Sequence, residues 1–312
     1  KNAQRVFKPV EEPNVHYGSW RPFQMGFILM SIAGIIDEND VSRENVDLIF
    51  FPTGGGKTEA YLGLAAFTIA LRRLTDQNHN GVDVVMRYTL RLLTIQQFER
   101  SAALIAALES MRRRDPRLGT APISIGVWLG SATTPNSIKN ALKDFRDAIK
   151  SPADAGNRFL VSRCPSCGAQ IGLGKKVGWV GVQENKATKS IIFVCPDHNC
   201  EFSYESKPLP IFVIDEEVYS QRPTFLLATV DKFARLAWVP EARSIFNLGP
   251  SGERQGLPPA LIIQDELHLI SGPLGSMVGL YEPVIQELAT YERDGKRVRP
   301  KVVASTATTR RY

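Results

Sequence analysis

Residues 46–58 decide the fold; they read Val-Asp-Leu-Ile-Phe-Phe-Pro-Thr-Gly-Gly-Gly-Lys-Thr. The largely apolar run Val46–Phe51 is ended by Pro52 and three glycines, as expected of a buried strand. The segment that follows, Thr58–Leu74, has the apolar spacing of a helix. A strand, a glycine-rich loop and a helix in this order are the context of a phosphate-binding P-loop.

The loop has the chemistry that a phosphate chain requires. Glycines let successive backbone N–H groups point towards one anion, and the helix N-terminus adds its dipole. We expect Lys57 to reach the β- and γ-phosphates and Thr58 to hold Mg²⁺ through its hydroxyl. Phe51 departs from the full pattern, which has a small residue there, and the alternative is a glycine-rich turn without a ligand. The predicted nucleotide-binding residues of the loop are Thr53, Gly54, Gly55, Gly56, Lys57 and Thr58.

Predicted strands and helices alternate along much of the chain. The predicted helices outside 58–74 are Phe23–Ile36 and Leu92–Met111. The predicted strands after the first are Val82–Tyr88, Ile123–Leu129, Phe225–Ala228, Leu261–Gln264 and Val302–Ala304. This alternation predicts the α/β class, with a parallel sheet that carries helices on both faces.

The strand predicted at 261–264 ends in two carboxylates, and His268 follows them. Ligands of open α/β sheets bind at the carboxyl ends of the strands. We therefore expect Asp265 to hold Mg²⁺ through water, Glu266 to orient or deprotonate the attacking water, and His268 to sense the γ-phosphate. With Lys57 these are the catalytic candidates. Two acidic residues after a strand can also be an ordinary polar strand end without a ligand. The P-loop in the same sequence favours the interpretation as part of a nucleotide site.

All four cysteines lie between residues 151 and 210, where the α/β pattern fades. The first pair has two residues between its members and is followed by a glycine; the second pair flanks Pro-Asp-His-Asn. Two such hooks suit one tetrahedral Zn²⁺. The predicted ligands are Cys164, Cys167, Cys195 and Cys200. Because the second spacer is wide, His198 is an alternative to Cys200, and the spacing is also compatible with disulfides or with thiols that merely pack.

We expect residues 151–210 to form a zinc-ribbon-like insertion that projects from the α/β core. The pattern indicates few apolar anchors, so a metal clip would supply what a small core cannot. The insertion contains several lysines, which form either a basic surface for nucleic acid or a plain solvated face. These are Lys175, Lys176, Lys186 and Lys189.

The composition is that of a globular protein: 312 residues, 43% apolar, 22% charged, with a formal charge of +6. The longest apolar stretch, Phe23–Ile36, is too short to span a bilayer, and we expect a cytoplasmic protein without a membrane partner. Arginines concentrate between 72 and 114, which is weak evidence for a polyanionic partner. Because residue 1 is Lys rather than Met, we expect a piece of a longer protein.

Three segments at predicted strand ends resemble motifs I, II and III of superfamily 2 helicases. They are Gly-Gly-Gly-Lys-Thr at 54–58, Asp-Glu-Leu-His at 265–268 and Thr-Ala-Thr at 306–308, and the second resembles the DExH type. The resemblance covers about 46–150 and 211–312. It implies a RecA-like domain that binds and hydrolyses ATP with Mg²⁺. It also implies a second RecA-like domain, absent from this chain, without which ATP turnover is expected to be inefficient.

Two further segments, 87–97 and 228–233, resemble motifs with which that superfamily binds the nucleic-acid backbone. The resemblance implies nucleic-acid contacts from Thr89, Arg91, Gln96, Thr229 and Lys232. Gln24, in Arg-Pro-Phe-Gln, resembles the glutamine that reads adenine in the superfamily. The resulting division is a lead-in and helix at 1–45, a RecA-like domain at 46–150 and 211–312, and the insertion at 151–210.

Two sequence segments, 52–61 and 264–275, resemble the helicase component of DISARM antiphage defence systems. The second of them reads Gln-Asp-Glu-Leu-His-Leu-Ile-Ser-Gly-Pro-Leu-Gly. This implies a DNA helicase or translocase, with single- or double-stranded DNA as a partner together with a subunit of the same defence system. A DExH RNA helicase is one alternative, because the same motifs would serve it. A nucleic-acid-binding scaffold that uses the nucleotide pocket as a switch is another.

Overall fold

The computed structural model describes residues 19–52, 54–89, 91–151, 156–174, 178–270 and 272–307, with the backbone alone for 91–95. The helices in chain order are α1 (Pro22–Ile36), α2 (Lys57–Thr75), α3 (Arg91–Arg114), α4 (Ile138–Lys150), α5 (Asp215–Gln221) and α6 (Gly272–Leu288). Short 3₁₀ segments lie at Val41–Glu44, Pro116–Leu118, Val230–Ala237, Pro240–Phe246 and Leu267–Leu269.

The strands in chain order are β1 (Val46–Phe50), β2 (Val84–Tyr88), β3 (Ile125–Trp128), β4 (Gly172–Gly174), β5 (Gly178–Val180), β6 (Val182–Asn185), β7 (Ser190–Phe193), β8 (Ile211–Phe212), β9 (Phe225–Thr229), β10 (Leu261–Gln264), β11 (Tyr291–Arg293), β12 (Lys296–Val298) and β13 (Lys301–Thr306). Seven of them form one sheet in the order β1-β13-β10-β2-β9-β3-β8, and every neighbouring pair is parallel. The carboxyl ends of all seven strands therefore meet at one edge, which we call the top edge.

Helical layers cover both faces of this sheet. On β2, Val84 and Met86 pack with α1, α2 and α3, whereas Val85 points to the opposite face and packs with α5, α6 and the 3₁₀ segments. Successive side chains of a strand alternate in this way, and a strand buried on both faces reads as a continuous apolar run. The predicted α/β class with a parallel sheet and helices on both faces is thus confirmed.

The cysteine module, by which we mean residues 156–174 and 178–210, does not project from the core as predicted. Its side chains Phe159, Phe193 and Phe202 are at most 1% exposed and belong to the same apolar cluster as α3 and the sheet. Trp179 stacks on Phe145 of α4 at 5.8 Å between ring centroids. The expectation of few apolar anchors was wrong, because these aromatic residues are scattered singly through the sequence and show no period.

Candidate nucleotide-binding site and cysteine cluster

Glycine is required at all three described positions of the loop. Gly54 and Gly56 have φ of 79° and 95°, in the left-handed region where a Cβ is disfavoured. A Cβ on Gly55 would lie 2.5 Å from the ring of Phe51 and 2.9 Å from the carbonyl oxygen of Pro52. The backbone is therefore tightly curled immediately before α2. Thr53 lies outside the described residues.

The N-terminus of α1 braces this loop. Gln24 is 5% exposed and donates from Nε2 to the carbonyl oxygen of Gly56 at 2.7 Å. Arg21 donates to the carbonyl of Gly55 at 2.8 Å, and Phe23 stacks on Phe51 at 4.1 Å between centroids. The stacking gives Phe51, the residue that departs from the P-loop pattern, a structural role. That Gln24 reads adenine stays a prediction; its position beside the loop is compatible with it.

The two polar residues at the start of α2 are held inside the site. Lys57 is 7% exposed, and its Nζ donates to the carbonyl oxygen of Phe51 at 2.5 Å, across the curl of the loop. Thr58 is also buried, and its Oγ1 lies 3.1 Å from the hydroxyl of Tyr61. The ammonium group and the Thr58 hydroxyl thus lie beside the curled loop; that they bind a phosphate chain and its metal stays a prediction.

Asp265 joins the loop to the acidic strand end and to the strand beside it. The carboxylate is 3% exposed and accepts a hydrogen bond from the hydroxyl of Tyr61 at 2.7 Å. It also accepts from the hydroxyl of Ser305 on β13 and from the backbone N–H of Glu266 at 2.9 Å. We call Tyr61, Asp265 and Ser305 the carboxylate network. Burial and the charge of Asp265 hold the pKa of Tyr61 well above its usual value, so the hydroxyl remains a donor.

The sequence did not single out Tyr61 or Ser305 as site residues. Tyr61 lies within the predicted helix 58–74, and Ser305 directly follows the predicted strand 302–304. The usable signal was position: Tyr61 lies one helical turn after Lys57, and Ser305 is the second-to-last residue of β13, the strand beside β10. A tyrosine buried against a strand end with an acidic residue needs a hydrogen-bond partner there.

Glu266 and His268 lie beside this network. Glu266 has φ of 50°, an uncommon value for a residue other than glycine, and such backbone strain clusters at functional sites. Its Oε2 is 3.3 Å from Nδ1 of His268, and that nitrogen lies 3.2 Å from Oγ1 of Thr306 on β13. The structure thus brings all the predicted catalytic residues to one part of the top edge; their catalytic roles stay predictions.

Two of the predicted nucleic-acid-binding residues end neighbouring strands on the other side of the top edge. Thr89 follows β2, and Thr229 ends β9 opposite Tyr88. The hydroxyls of both are buried and have no hydrogen-bond partner among the described residues. Gln96 on α3 is exposed, whereas the side chain of Arg91 lies outside the described part of the chain.

Lys232 has other contacts than those expected of a residue that binds phosphates. It is 4% exposed, its Nζ lies 2.7 Å from Oδ2 of Asp215, and it donates to the carbonyl oxygen of Leu129 at 2.5 Å. Burial lowers the pKa of Lys232 and raises that of Asp215, and each charge partly offsets the effect on the other. A phosphate group would have to displace this buried pair to reach Lys232, so we do not propose Lys232 as a DNA contact.

The four cysteines come together in the cysteine module. Their Sγ atoms all lie within 4.8 Å of one another, at 3.9 Å for Cys164 and Cys200 and 3.4 Å for Cys167 and Cys195. The alternative ligand, His198, is elsewhere: its side chain is 74% exposed, and Nδ1 lies 3.5 Å from Oε1 of Glu205. The geometry therefore favours four sulfurs over a set that includes the histidine.

The lysines of the insertion are only partly described. Lys186 and Lys189 are exposed near the turn between β6 and β7, and Lys175 and Lys176 lie outside the described residues. The exposed pair fits a solvated face as well as a basic surface, so both interpretations stay open.

The fold is that of a RecA-like P-loop domain. The parallel sheet, the loop between β1 and α2, and the acidic end of β10 carry this statement. No protein-family model matches the chain.

The chain is similar to the DISARM protein DrmA of Bacillus paralicheniformis, to which it is 37% identical over 93% of its length. The resemblance to the DISARM helicase component, predicted from the motifs, is thereby confirmed. The chain spans 29% of the length of that relative.

Among solved structures, the chain is similar to Mycobacterium smegmatis helicase Lhr bound to ssDNA and AMP-PNP. The match covers 94% of this chain and 25% of the Lhr chain, with 15% sequence identity and a TM-score of 0.43. Similarity at this level carries no argument about function. In the described part of the chain, no helix is both long and apolar enough to cross a membrane.

Proposed function

We propose that this chain is the first RecA-like domain of a DNA helicase or translocase in antiphage defence. The carboxylate network is the observation that supports this proposal most. It connects the end of β10 to α2 and to the end of β13, three elements that contribute to one site although they lie far apart in sequence. A closed polar network of this kind suits a nucleotide site whose state is passed on to neighbouring strands.

In this proposal each residue of the site has one task. Lys57 leaves the carbonyl of Phe51 for the phosphates of ATP, and the N–H groups of the loop bind the same oxygens. Thr58 and Asp265 hold Mg²⁺, which neutralises phosphate charge when bound. Glu266 orients the attacking water and accepts its proton, while His268 and Thr306 couple the γ-phosphate to β13.

DNA is the proposed track, and Thr89, Arg91, Gln96 and Thr229 are its proposed contacts in this domain. The hydroxyls of Thr89 and Thr229 support this, because both lack a described partner and a phosphate oxygen would satisfy them. Thr89 is half-buried, whereas Thr229 is 1% exposed and has to be uncovered before it can bind. We propose DNA rather than RNA because the resemblance of the motifs to the DISARM antiphage helicase component implies a DNA partner. The second RecA-like domain and a partner subunit complete the motor, which we propose to be cytoplasmic.

The test is ATP turnover by the full-length protein with double-stranded DNA, single-stranded DNA and RNA of equal length. Glu266→Gln is the matched background control, because it keeps the size and polarity of the side chain and removes the base. We expect DNA to stimulate the wild type well above this control, and stimulation to fall with salt as contacted phosphates recapture counterions. Stimulation by RNA alone would favour the RNA helicase, and ATP binding without turnover on any polymer would favour the scaffold.

A further inference from the structure

Helix α3 runs from the proposed DNA track to the cysteine module. It begins at Arg91, just after β2, and its buried residues Phe98 and Ala102 face the module. The helix is thus held on one side by the sheet, in whose apolar cluster its buried residues lie, and on the other side by the module. Besides an exposed ion pair of Arg114 with Glu201, two polar contacts join the helix to the module, one in its first half and one at its C-terminal end.

The first contact joins α3 to the first cysteine hook. Ser162, two residues before Cys164, donates from Oγ to Oε1 of Glu99 at 2.7 Å. The hook itself is closed by its own backbone: the N–H of Cys164 donates to the carbonyl of Ala169 at 2.8 Å. The hydrogen bond between Ser162 and Glu99 therefore fixes α3 to the hook that supplies Cys164 and Cys167.

The second contact joins α3 to the second hook. Arg113 donates to the carbonyl oxygen of Glu201 at 3.1 Å, and its guanidinium lies over the ring of Phe202, 4.3 Å from the centroid. Both partners directly follow Cys200. Arg113 is in turn oriented by Glu109, at 3.0 Å, whose carboxylate also accepts from the N–H of Ile123 beside β3.

These two contacts are 14 residues apart, about 21 Å along a helix. They belong to different hooks, and the four sulfurs are the point at which the hooks meet. Tetrahedral zinc with Zn–S bonds of about 2.3 Å separates its sulfurs by about 3.8 Å, which lies between the Sγ distances of the two cysteine pairs.

We propose that the four cysteines hold one structural Zn²⁺, which ties the two hooks together and thereby fixes α3 at both contacts. The position of α3, and with it the DNA-stimulated rate, then depends on the metal. Only the effect on rate rests on the proposed function; the metal and the order of α3 do not.

The first experiment measures metal by elemental analysis of the purified full-length protein. We expect one zinc per chain in the wild type and in His198→Ala, and its loss in Cys164→Ser and in Cys200→Ser. Absence of zinc, iron in its place, or a zinc that survives both serine variants but is lost in His198→Ala, would overturn the proposed site.

The second experiment compares hydrogen–deuterium exchange in 96–114 between zinc-loaded and chelator-treated wild-type protein. We expect faster exchange after zinc removal, with ATP affinity unchanged, because the P-loop is braced by α1 and not by the module. Unchanged exchange in 96–114 would overturn the link to α3. This readout does not require ATP turnover, so it separates the link from the proposed function.

The third experiment removes the contacts and leaves the cysteines in place. Ser162→Ala and Arg113→Gln should keep zinc and lower DNA-stimulated turnover about fivefold, the factor that corresponds to one hydrogen bond. The matched control is Arg114→Gln, whose side chain is 77% exposed and 4.0 Å from Glu201, and it should stay near the wild type. Equal rates in all three variants and the wild type would show that α3 does not transmit the effect of the metal.

Discussion

The two halves of the top edge differ in whether their polar side chains are hydrogen-bonded to other described residues. At the ends of β1, β13 and β10, the side chains bind one another: Asp265 accepts from Tyr61 and Ser305, and Glu266 contacts His268. At the ends of β2 and β9, the hydroxyls of Thr89 and Thr229 are buried without a described partner.

The difference separates two kinds of residue that sequence motifs treat alike. In the first half, polar groups are already oriented by the protein, so a substitution should disturb chemistry. In the second half, Lys232 pairs with Asp215 inside the protein, so a substitution of Lys232 should lower stability. The hydroxyls of Thr89 and Thr229 have no described partner in the protein, so a ligand can bind them. Stability and activity should therefore change independently in the two halves.

The largest expected loss of stability is that of Lys232→Met. The change leaves the carboxylate of Asp215 buried without its ion partner, and we expect unfolding to become about 3–5 kcal/mol easier. Denaturant unfolding measures this loss. The double variant Lys232→Met, Asp215→Leu is the control, and it should recover most of the stability. If the single variant keeps its stability and loses DNA affinity, Lys232 belongs to the track after all.

A second prediction concerns α5, which carries both Asp215 and Glu217. Burial raises the pKa of Glu217 to about 7 from 4.5, although Ser190 of the module donates to its carboxylate. Between pH 4.5 and about 7, Glu217 is therefore protonated in the folded state but ionised in the unfolded state. The free energy of unfolding falls as pH rises through this range. Glu217→Gln should match the wild type near pH 4 and exceed it at pH 8 by up to about 3 kcal/mol.

Thermal unfolding of both proteins across this pH range checks the prediction. Glu292→Gln, which changes an exposed carboxylate on β11, is the control and should show no comparable crossover. A constant difference between Glu217→Gln and the wild type at every pH would contradict the assignment.

The third prediction tests the carboxylate network. Tyr61→Phe removes one oriented donor from Asp265, and we expect ATP turnover to fall about tenfold with little loss of stability. The matched control is Tyr204→Phe in the cysteine module, where the lost hydroxyl accepts from the N–H of Gly181 at 3.1 Å. Equal turnover in the two variants would mean that the network does not orient Asp265 for catalysis.

The smallest effect is expected for Thr229→Val. Valine has nearly the same shape, and the buried hydroxyl it replaces has no described partner, so stability should stay within about 0.5 kcal/mol of the wild type or rise. DNA affinity should fall a few-fold, because a phosphate contact is lost. Binding measured at two salt concentrations checks this. An unchanged affinity would show that the hydroxyl does not face the nucleic acid.

The sequence predicted most of the central sheet because the inner strands are buried on both faces and are therefore continuously apolar. The edge strand β1 was located correctly, but the prediction that it is buried was wrong: Val46, Leu48 and Phe50 are exposed on one face. Leu261–Gln264 matches β10 at both ends, and Thr58–Leu74 matches α2 within one residue at each end. It did not predict α6, which contains Pro283 and several glycines, or α5, which is only 7 residues long. In both, packing against the sheet outweighs weak local signals.

The sequence also predicted only part of the candidate site. Motif spacing predicted that Lys57 and Asp265 would meet, since both follow strand ends of one parallel sheet. It could not predict that Tyr61 would bind Asp265 or that Lys232 would pair with Asp215, because both contacts depend on which side chains face each other across the fold. The cysteine spacing predicted the cluster, and only packing could show that the module is buried against α3.

The measurement that tests the central claim most directly compares nucleotide binding with hydrolysis in two variants of the full-length protein. Lys57→Ala should lower ATP affinity, because it removes a phosphate contact. Glu266→Gln should bind ATP like the wild type but hydrolyse it at least about a hundredfold more slowly, because it lacks the base. Hydrolysis by Glu266→Gln at the wild-type rate, or ATP affinity unchanged in Lys57→Ala, would contradict a nucleotide site at this end of the sheet.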